Sequence, residues 1–211
     1  ILTPCSHVIS KRIANEDLSA FDYVFCWLGN TDLLVSIIKL IEDKMNLEHD
    51  VKEVGVQLIL LVEDSIRFYS SVLPNLYKFV LKQSQEFSTE ALNAHQRTLR
   101  MRGRPKIVLA RTYEEAMDIY NKYTNNILGV ITDVRFPRVD KGEKDGMAGI
   151  KLCAEVRKKD PFVPLIIQSS ETENAAYAAK YGATFIDKNS KKMDVDPVSY
   201  THLTLPTNSR V

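Results

Sequence analysis

Residues Ile127–Val134 read ILGVITDV, an almost unbroken apolar run that ends on a single carboxylate, Asp133. An apolar run this short, with no period of two, suits a strand buried on both faces, as in a parallel sheet covered by helices. Ligands of such sheets bind beyond the carboxyl ends of the strands. An Asp at that end therefore points into a site, whereas one in mid-strand would be an unpaired buried charge costing several kcal/mol. A strand-end Asp that only caps the next loop is the plainer alternative. What stands at the ends of the other strands decides between them.

Val56–Val62 (VQLILLV) reads as a second buried strand, with Glu63 and Asp64 immediately at its end. A long helical stretch from about Ser65 to Met101 follows, in which Pro74 is expected to end a first turn or kink the helix. Gly103 and Pro105 close it, and Lys106–Ala110 (KIVLA) is a third strand. Thr112 is placed to cap the next helix, with Glu115 at capping-box spacing. After Asp133 a polar loop, Arg135 to Gly146, leads into a helix around Gly149–Lys159. The strand Val163–Gln168 ends on Ser169 and Ser170, a short helix spans Glu173–Tyr181, and the strand Thr184–Asp187 ends on Lys188. Strands alternating with helices at this spacing predict an α/β fold with an open, doubly wound parallel sheet.

The 211 residues suffice for one large domain or one and a half small ones. At 45% hydrophobic and 26% charged the chain can bury a core, and its net charge of +1 gives no case for a nucleic-acid or membrane partner. Cys5, Cys26 and Cys153 are odd in number and lack CxxC spacing, which argues against a disulfide framework or zinc site and fits a reducing cytoplasm. No run approaches the length of a membrane span. His7, His49 and His95 show no metal-binding spacing, and the cluster Arg97, Arg100, Arg102, Arg104 and Lys106 reads as cations favoured at a helix C-terminus. Trp27 and Cys153 read as core.

Near the start, Phe21–Trp27 reads as a strand, Gly29 and Asn30 as a turn, and Thr31 as the cap of a helix to Asn46. Leu33, Leu34, Ile37, Ile38 and Ile41 recur there at helical spacing, and the polar residues 47–55 are expected to be a linker.

Collected at strand ends are thus Glu63, Asp64, Asp133, Ser169 and Lys188. Each has a role in phosphoryl chemistry. Mg²⁺ takes oxygen ligands and keeps some waters, so two carboxylates and a backbone carbonyl suffice. A carboxylate oxygen of Asp133 can attack phosphorus in line, while an amine and a hydroxyl neutralise and hydrogen-bond the transferred oxygens.

The motifs VEDS (62–65), ITDVRFP (131–137), MAGIKLCAEVR (147–157), VPLIIQSS (163–170) and YGATFIDKN (181–189) make residues 56–190 resemble a response-regulator receiver domain of the CheY-like kind. The resemblance implies a flavodoxin-like, doubly wound, five-stranded parallel sheet with an elongated first helix and a missing or replaced last helix. It implies Asp133 as phosphoacceptor, Glu63, Asp64, Asp133 and the Arg135 carbonyl as Mg²⁺ ligands, Lys188 as the partnering lysine, and Ser169 and Phe185 as switch residues. It further implies a bacterial two-component phosphorelay, with a histidine kinase or phosphotransfer protein and other domains of a larger parent as partners. Such a domain is no enzyme beyond promoting its own phosphorylation and dephosphorylation. The alternative is a pseudo-receiver that binds a partner without phosphorylation. A hydrolase of the haloacid-dehalogenase type fits poorly, because the residue two beyond Asp133 is Arg135 rather than Asp.

The same resemblance divides the chain. Residues 1–46 look like the C-terminal part of a degenerate second receiver, with Thr3 at the hydroxyl position, Tyr23 at the aromatic position and Cys26 where the lysine belongs. Residues 47–55 are then the linker, 56–192 the receiver and 193–211 a tail, of which 197–211 resemble a translated sequencing-library adapter. A chain opening on Ile1 is expected to be the middle of a tandem-receiver protein, with the helix 31–46 lying on the receiver in place of its lost last helix.

Overall fold

The hydrophobic strands of the chain assemble into one parallel sheet, seen in a computed structural model that describes residues 1–6, 13, 20–89 and 103–190. Its strands are β3 (Leu58–Val62), β4 (Lys106–Ala110), β5 (Ile127–Asp133), β8 (Leu165–Ser169) and β9 (Thr184–Asp187), in the order β4-β3-β5-β8-β9. Every pairing in it is parallel. The chain runs outward from β3 to β4, then crosses to the other side of β3 for β5, β8 and β9. The order therefore reverses between β3 and β5, where the carboxyl ends diverge and leave a crevice.

Side chains alternate across the strands and feed two cores. On one face Ile59, Leu61, Ile107, Leu109, Ile131 and Ile166 meet Tyr69, Leu73, Leu76 and Tyr77 of α2 (Ile66–Thr89). On the other, Leu60, Val62, Val130, Leu165 and Ile167 are covered from α3 (Tyr113–Lys122), α4 (Ala148–Lys159) and α5 (Asn174–Lys180). Each of these large apolar side chains contributes about 1.5–3 kcal/mol on burial. Trp27 packs against the first core and Cys153 lies inside the second, as their sequence context implies. Thr112 caps α3 as expected: its Oγ1 accepts the Glu115 N–H at 3.2 Å, while Glu115 Oε2 accepts that of Arg111 at 2.7 Å.

Several expectations are corrected. Of the two effects expected of Pro74, ending a turn is overturned: helix α2 runs through it. The N-terminal strand is shorter than Phe21–Trp27: β2 spans Phe25–Trp27 and pairs in parallel with β1 (Leu2–Pro4). In that ladder Thr3 lies opposite Cys26. The supposed linker 47–55 is helix, because α1 extends over Asp32–Val54 and closes on Gly55 in the left-handed region (φ 70°). Its N-terminus is capped by Asn30, whose Oδ1 accepts the Asp32 N–H at 2.9 Å, and not by the Thr31 side chain.

The continuation of α1 follows from which face it buries. Leu33, Ser36, Leu40, Asp43 and Val51 face inward, while Leu34, Ile38 and Ile41 of the anticipated stripe are exposed. Asp43, 0% exposed, sits at the centre of a polar network. It accepts Arg104 Nη2 at 2.6 Å, the Tyr77 hydroxyl at 2.9 Å and the Ile107 N–H at 3.0 Å. One turn pair further on, Asp50 holds Lys106 at 2.6 Å. Asp43 of the expected helix and Asp50 of the expected linker therefore fasten α1 to α2 and to the start of β4. That places α1 at the β4 edge, on the far side of the sheet from β9, and so not where a helix following β9 would begin. No helix follows β9 among the described residues, and among them no helix is long and apolar enough to cross a membrane. The tail 193–211 and Arg97, Arg100 and Arg102 of the basic cluster lie outside the described residues.

The Asp43 network gives a stability prediction. Asp43→Ala removes the bidentate partner of the buried Arg104 guanidinium, leaving it Glu42 at 3.6 Å and the Pro105 carbonyl at 3.3 Å, and should lower the unfolding free energy by about 3–5 kcal/mol in urea titration. Lys44→Ala on the same helix, whose partner Asp22 is exposed, should change it by less than about 1 kcal/mol.

Candidate functional site

The crevice between β3 and β5 gathers the strand-end residues. Asp133 closes β5, Glu63 and Asp64 follow β3, and Lys188 follows β9. Lys188 Nζ lies 2.6 Å from Glu63 Oε2 and 3.0 Å from Asp133 Oδ1. Its ammonium also stands 3.8 Å from the centre of the Phe68 ring, a cation–π contact from the first turn of α2. Asn189 locks the end of β9 in place, its Nδ2 donating to Ser170 O at 3.0 Å.

The two oxygens of Asp133 are unequal. Oδ1 accepts the Val134 N–H at 2.7 Å as well as Lys188, whereas Oδ2 accepts no hydrogen bond among the described residues. Glu63, 1% exposed, has both oxygens engaged, with Ser65 N–H at 3.1 Å and Lys188. Burial pushes its carboxyl up to about 7, against the opposing pull of Lys188. Asp64 is different again. Its Oδ2 meets Lys144 Nζ at 2.6 Å, and its Oδ1 is buried without a partner.

One oxygen from each of Glu63, Asp64 and Asp133 lies within 4.8 Å of the others. An all-oxygen donor set with an orphaned carboxylate oxygen suits a hard divalent cation of the Mg²⁺ type. Arg135 is on the same rim, two residues beyond Asp133, with its guanidinium 3.3 Å from Glu171.

Ser169 is at the rim but engaged elsewhere. Its Oγ accepts the Glu171 N–H at 3.1 Å and Asn174 Nδ2 at 2.9 Å, so it tethers the start of α5. Phe185 lies partly buried against the second core. The structure thus brings Glu63, Asp64, Asp133 and Lys188 together, while Ser169 is held by Glu171 and Asn174 and Phe185 packs against the second core.

Two participants escape a reading of the sequence. Gly149 is pressed against the back of β5: a Cβ there would come within 1.8 Å of Asp133 O and 3.1 Å of Thr132 Oγ1. Lys144 arrives on a short antiparallel hairpin, β6 (Phe136–Pro137) and β7 (Lys144–Asp145), inside the loop that follows Asp133. A glycine in a helix start and a lysine in a polar loop carry no periodic signal that would single them out.

Two outcomes follow from this geometry. Gly149→Ala must move either α4 or Asp133, and should cost about 1–3 kcal/mol while disturbing the Asp133 carboxylate, read by denaturation and by NMR shifts around Asp133. Glu63, whose native proton affinity is raised, favours the native state below its ordinary value of 4.5 and loses that contribution as pH rises through about 7. The unfolding free energy of the protein should therefore fall across that window, and Glu63→Gln should flatten the slope.

No family model and no curated protein matches the chain. Among solved structures it is similar to a response regulator receiver domain from Clostridium thermocellum, at 21% identity over 70% of this chain and 94% of that one, with a TM-score of 0.43. The CheX–CheY complex with BeF3 and Mg from Borrelia burgdorferi is similar at 22% identity over 71% and 90%, TM-score 0.41. The response regulator TrrA of Thermotoga maritima, in complex with Mg and BeF, is similar at 18% over 70% and 99%, TM-score 0.40.

Proposed function

We propose that residues 56–190 form a phosphoacceptor module of a two-component phosphorelay, in which Asp133 receives a phosphoryl group from a histidine kinase or phosphotransfer protein in the cytoplasm. The observation that carries this reading is the asymmetry of Asp133: Oδ1 is fixed by Val134 N–H and Lys188, and Oδ2 is left without a hydrogen bond. Oδ2 attacks phosphorus in line, the bond from phosphorus to the donor's ring nitrogen breaks, and the nitrogen leaves with the electron pair. Lys188 then exchanges part of its pairing with Asp133 for an oxygen of the new acyl phosphate. Asp64, Asp133 and Glu63, with the Arg135 carbonyl, would hold Mg²⁺. When bound, that ion neutralises phosphoryl oxygens.

For the switch, Ser169 must give up Asn174 and Glu171 to reach a phosphoryl oxygen, which frees the start of α5, and Phe185 on the neighbouring strand turns inward. The module catalyses nothing beyond its own phosphorylation and dephosphorylation. Residues 1–54 read as the closing strands and helix of a second, degenerate module, supported by the parallel pairing of β1 with β2 and the helix that follows. Other domains of a larger parent would then be its intramolecular partners.

The test is intact-mass spectrometry after incubation with acetyl phosphate and Mg²⁺. A single phosphoryl adduct is expected that needs the cation and is absent from Asp133→Asn. Lys188→Met should retain folding and lose most of the adduct. A folded protein that binds Mg²⁺ and takes no phosphoryl group would instead be a partner-binding pseudo-receiver.

A further inference from the structure

Resting on the reading of Glu63, Asp64 and Asp133 as a divalent-cation site, we propose that Lys144 is a tethered competitor for that cation: its ammonium group holds one oxygen of Asp64 and weakens the site for divalent ions. The lysine is placed by construction and is not a stray surface side chain. Phe136, on the partner strand of the hairpin, is fully buried in the second core. Asp145, next to Lys144, accepts the Met147 N–H at 2.9 Å and Lys151 Nζ at 2.6 Å, which fastens the hairpin to the start of α4. Arg138 fastens the other side, its carbonyl accepting the Glu114 N–H at 3.0 Å and its guanidinium lying 5.1 Å from the Tyr113 ring centre. The hairpin is thus bound to two helices, and Lys144 is rooted beside Asp64.

The contact divides Asp64 in two. Oδ2 is taken by Lys144 at 2.6 Å, while Oδ1 is buried without a partner. A divalent ion on Oδ1 would therefore sit close to a fixed ammonium. With all three carboxylates ionised, as a bound cation would favour, the cluster with Lys188 and Lys144 carries a formal charge of −1, and without Lys144 it carries −2. A −2 cluster matches a divalent ion. The lysine side chain is 55% exposed, so it can leave the carboxylate for solvent, and the competition is one of degree, screened by salt.

Isothermal titration of Mg²⁺ into the full chain, Lys144→Met and Lys144→Arg tests this, with circular dichroism and melting curves confirming that each is folded. Lys144→Met should tighten Mg²⁺ about tenfold, the order expected for removing one unit charge beside a divalent ion at a partly exposed site. Lys144→Arg should stay near the parent, and raising the salt concentration should narrow the difference. Lys144→Gln is the second neutral variant should the Met variant fail to fold. A folded neutral variant whose Mg²⁺ affinity equals or falls below that of the parent overturns the competitor role and leaves the cation site standing. Absence of Mg²⁺ binding in all the folded proteins overturns the cation site and the competitor together.

Discussion

One ammonium group ties the carboxyl end of this sheet together. Lys188 leaves the edge strand β9, passes the end of β8 and reaches carboxylates on both β5 and β3. Without it, Glu63 and Asp133 would face each other as like charges, one of them almost wholly removed from water. The strand order thus sets a constraint: residues brought to the reversal point must include a cation from the far edge. The open oxygen of Asp133 is defined by the same contact, since what Lys188 and Val134 leave unused is Oδ2.

A second charged cluster does comparable work at the opposite edge. Asp43 gives the buried Arg104 a partner and also satisfies the backbone of Ile107 and the Tyr77 hydroxyl. Helix α2 is held between the two arrangements. One side covers the five-stranded sheet, and another meets the small β1–β2 ladder, where Tyr69 lies edge-on to Phe25 at 5.7 Å and donates its hydroxyl to Val24 O. Cys26 N–H reaches Ser70 Oγ on the same helix at 2.9 Å.

Much of the sheet was legible in the sequence because buried parallel strands leave a compositional trace: Ile127–Asp133, Lys106–Ala110 and Thr184–Asp187 appear within a residue of their expected bounds. The gathering of Glu63, Asp64, Asp133 and Lys188 at one rim was legible for the same reason, since a charge closing such a run has few other places to go. What was hidden depends on partners distant in the chain. Asp50 reads as polar linker chemistry and Asp43 as one more charge on a helix, until Lys106 and Arg104, more than fifty residues on, turn them into anchors. Lys144 acquires meaning from Asp64, eighty positions away, and Gly149 from the carbonyl of Asp133 pressed against it. The apolar stripe of α1 misled because that helix is apolar on more than one side, and hydrogen bonding chose the face that is buried.

The turn at Gly55 joins a fixed helix to a central strand almost without slack. Helix α1 ends at Val54, Gly55 takes the left-handed conformation, and β3 begins at Leu58. The phase of α1 about its own axis is therefore slaved to the register of β3, like two gears on one shaft. One residue inserted or removed at this joint would turn the helix by about 100° and carry Asp43 away from Arg104. Length at the joint is consequently under tighter constraint than residue identity over much of the exposed helix, and drift in this chain is to be sought in the loop after Asp133 before it is sought here.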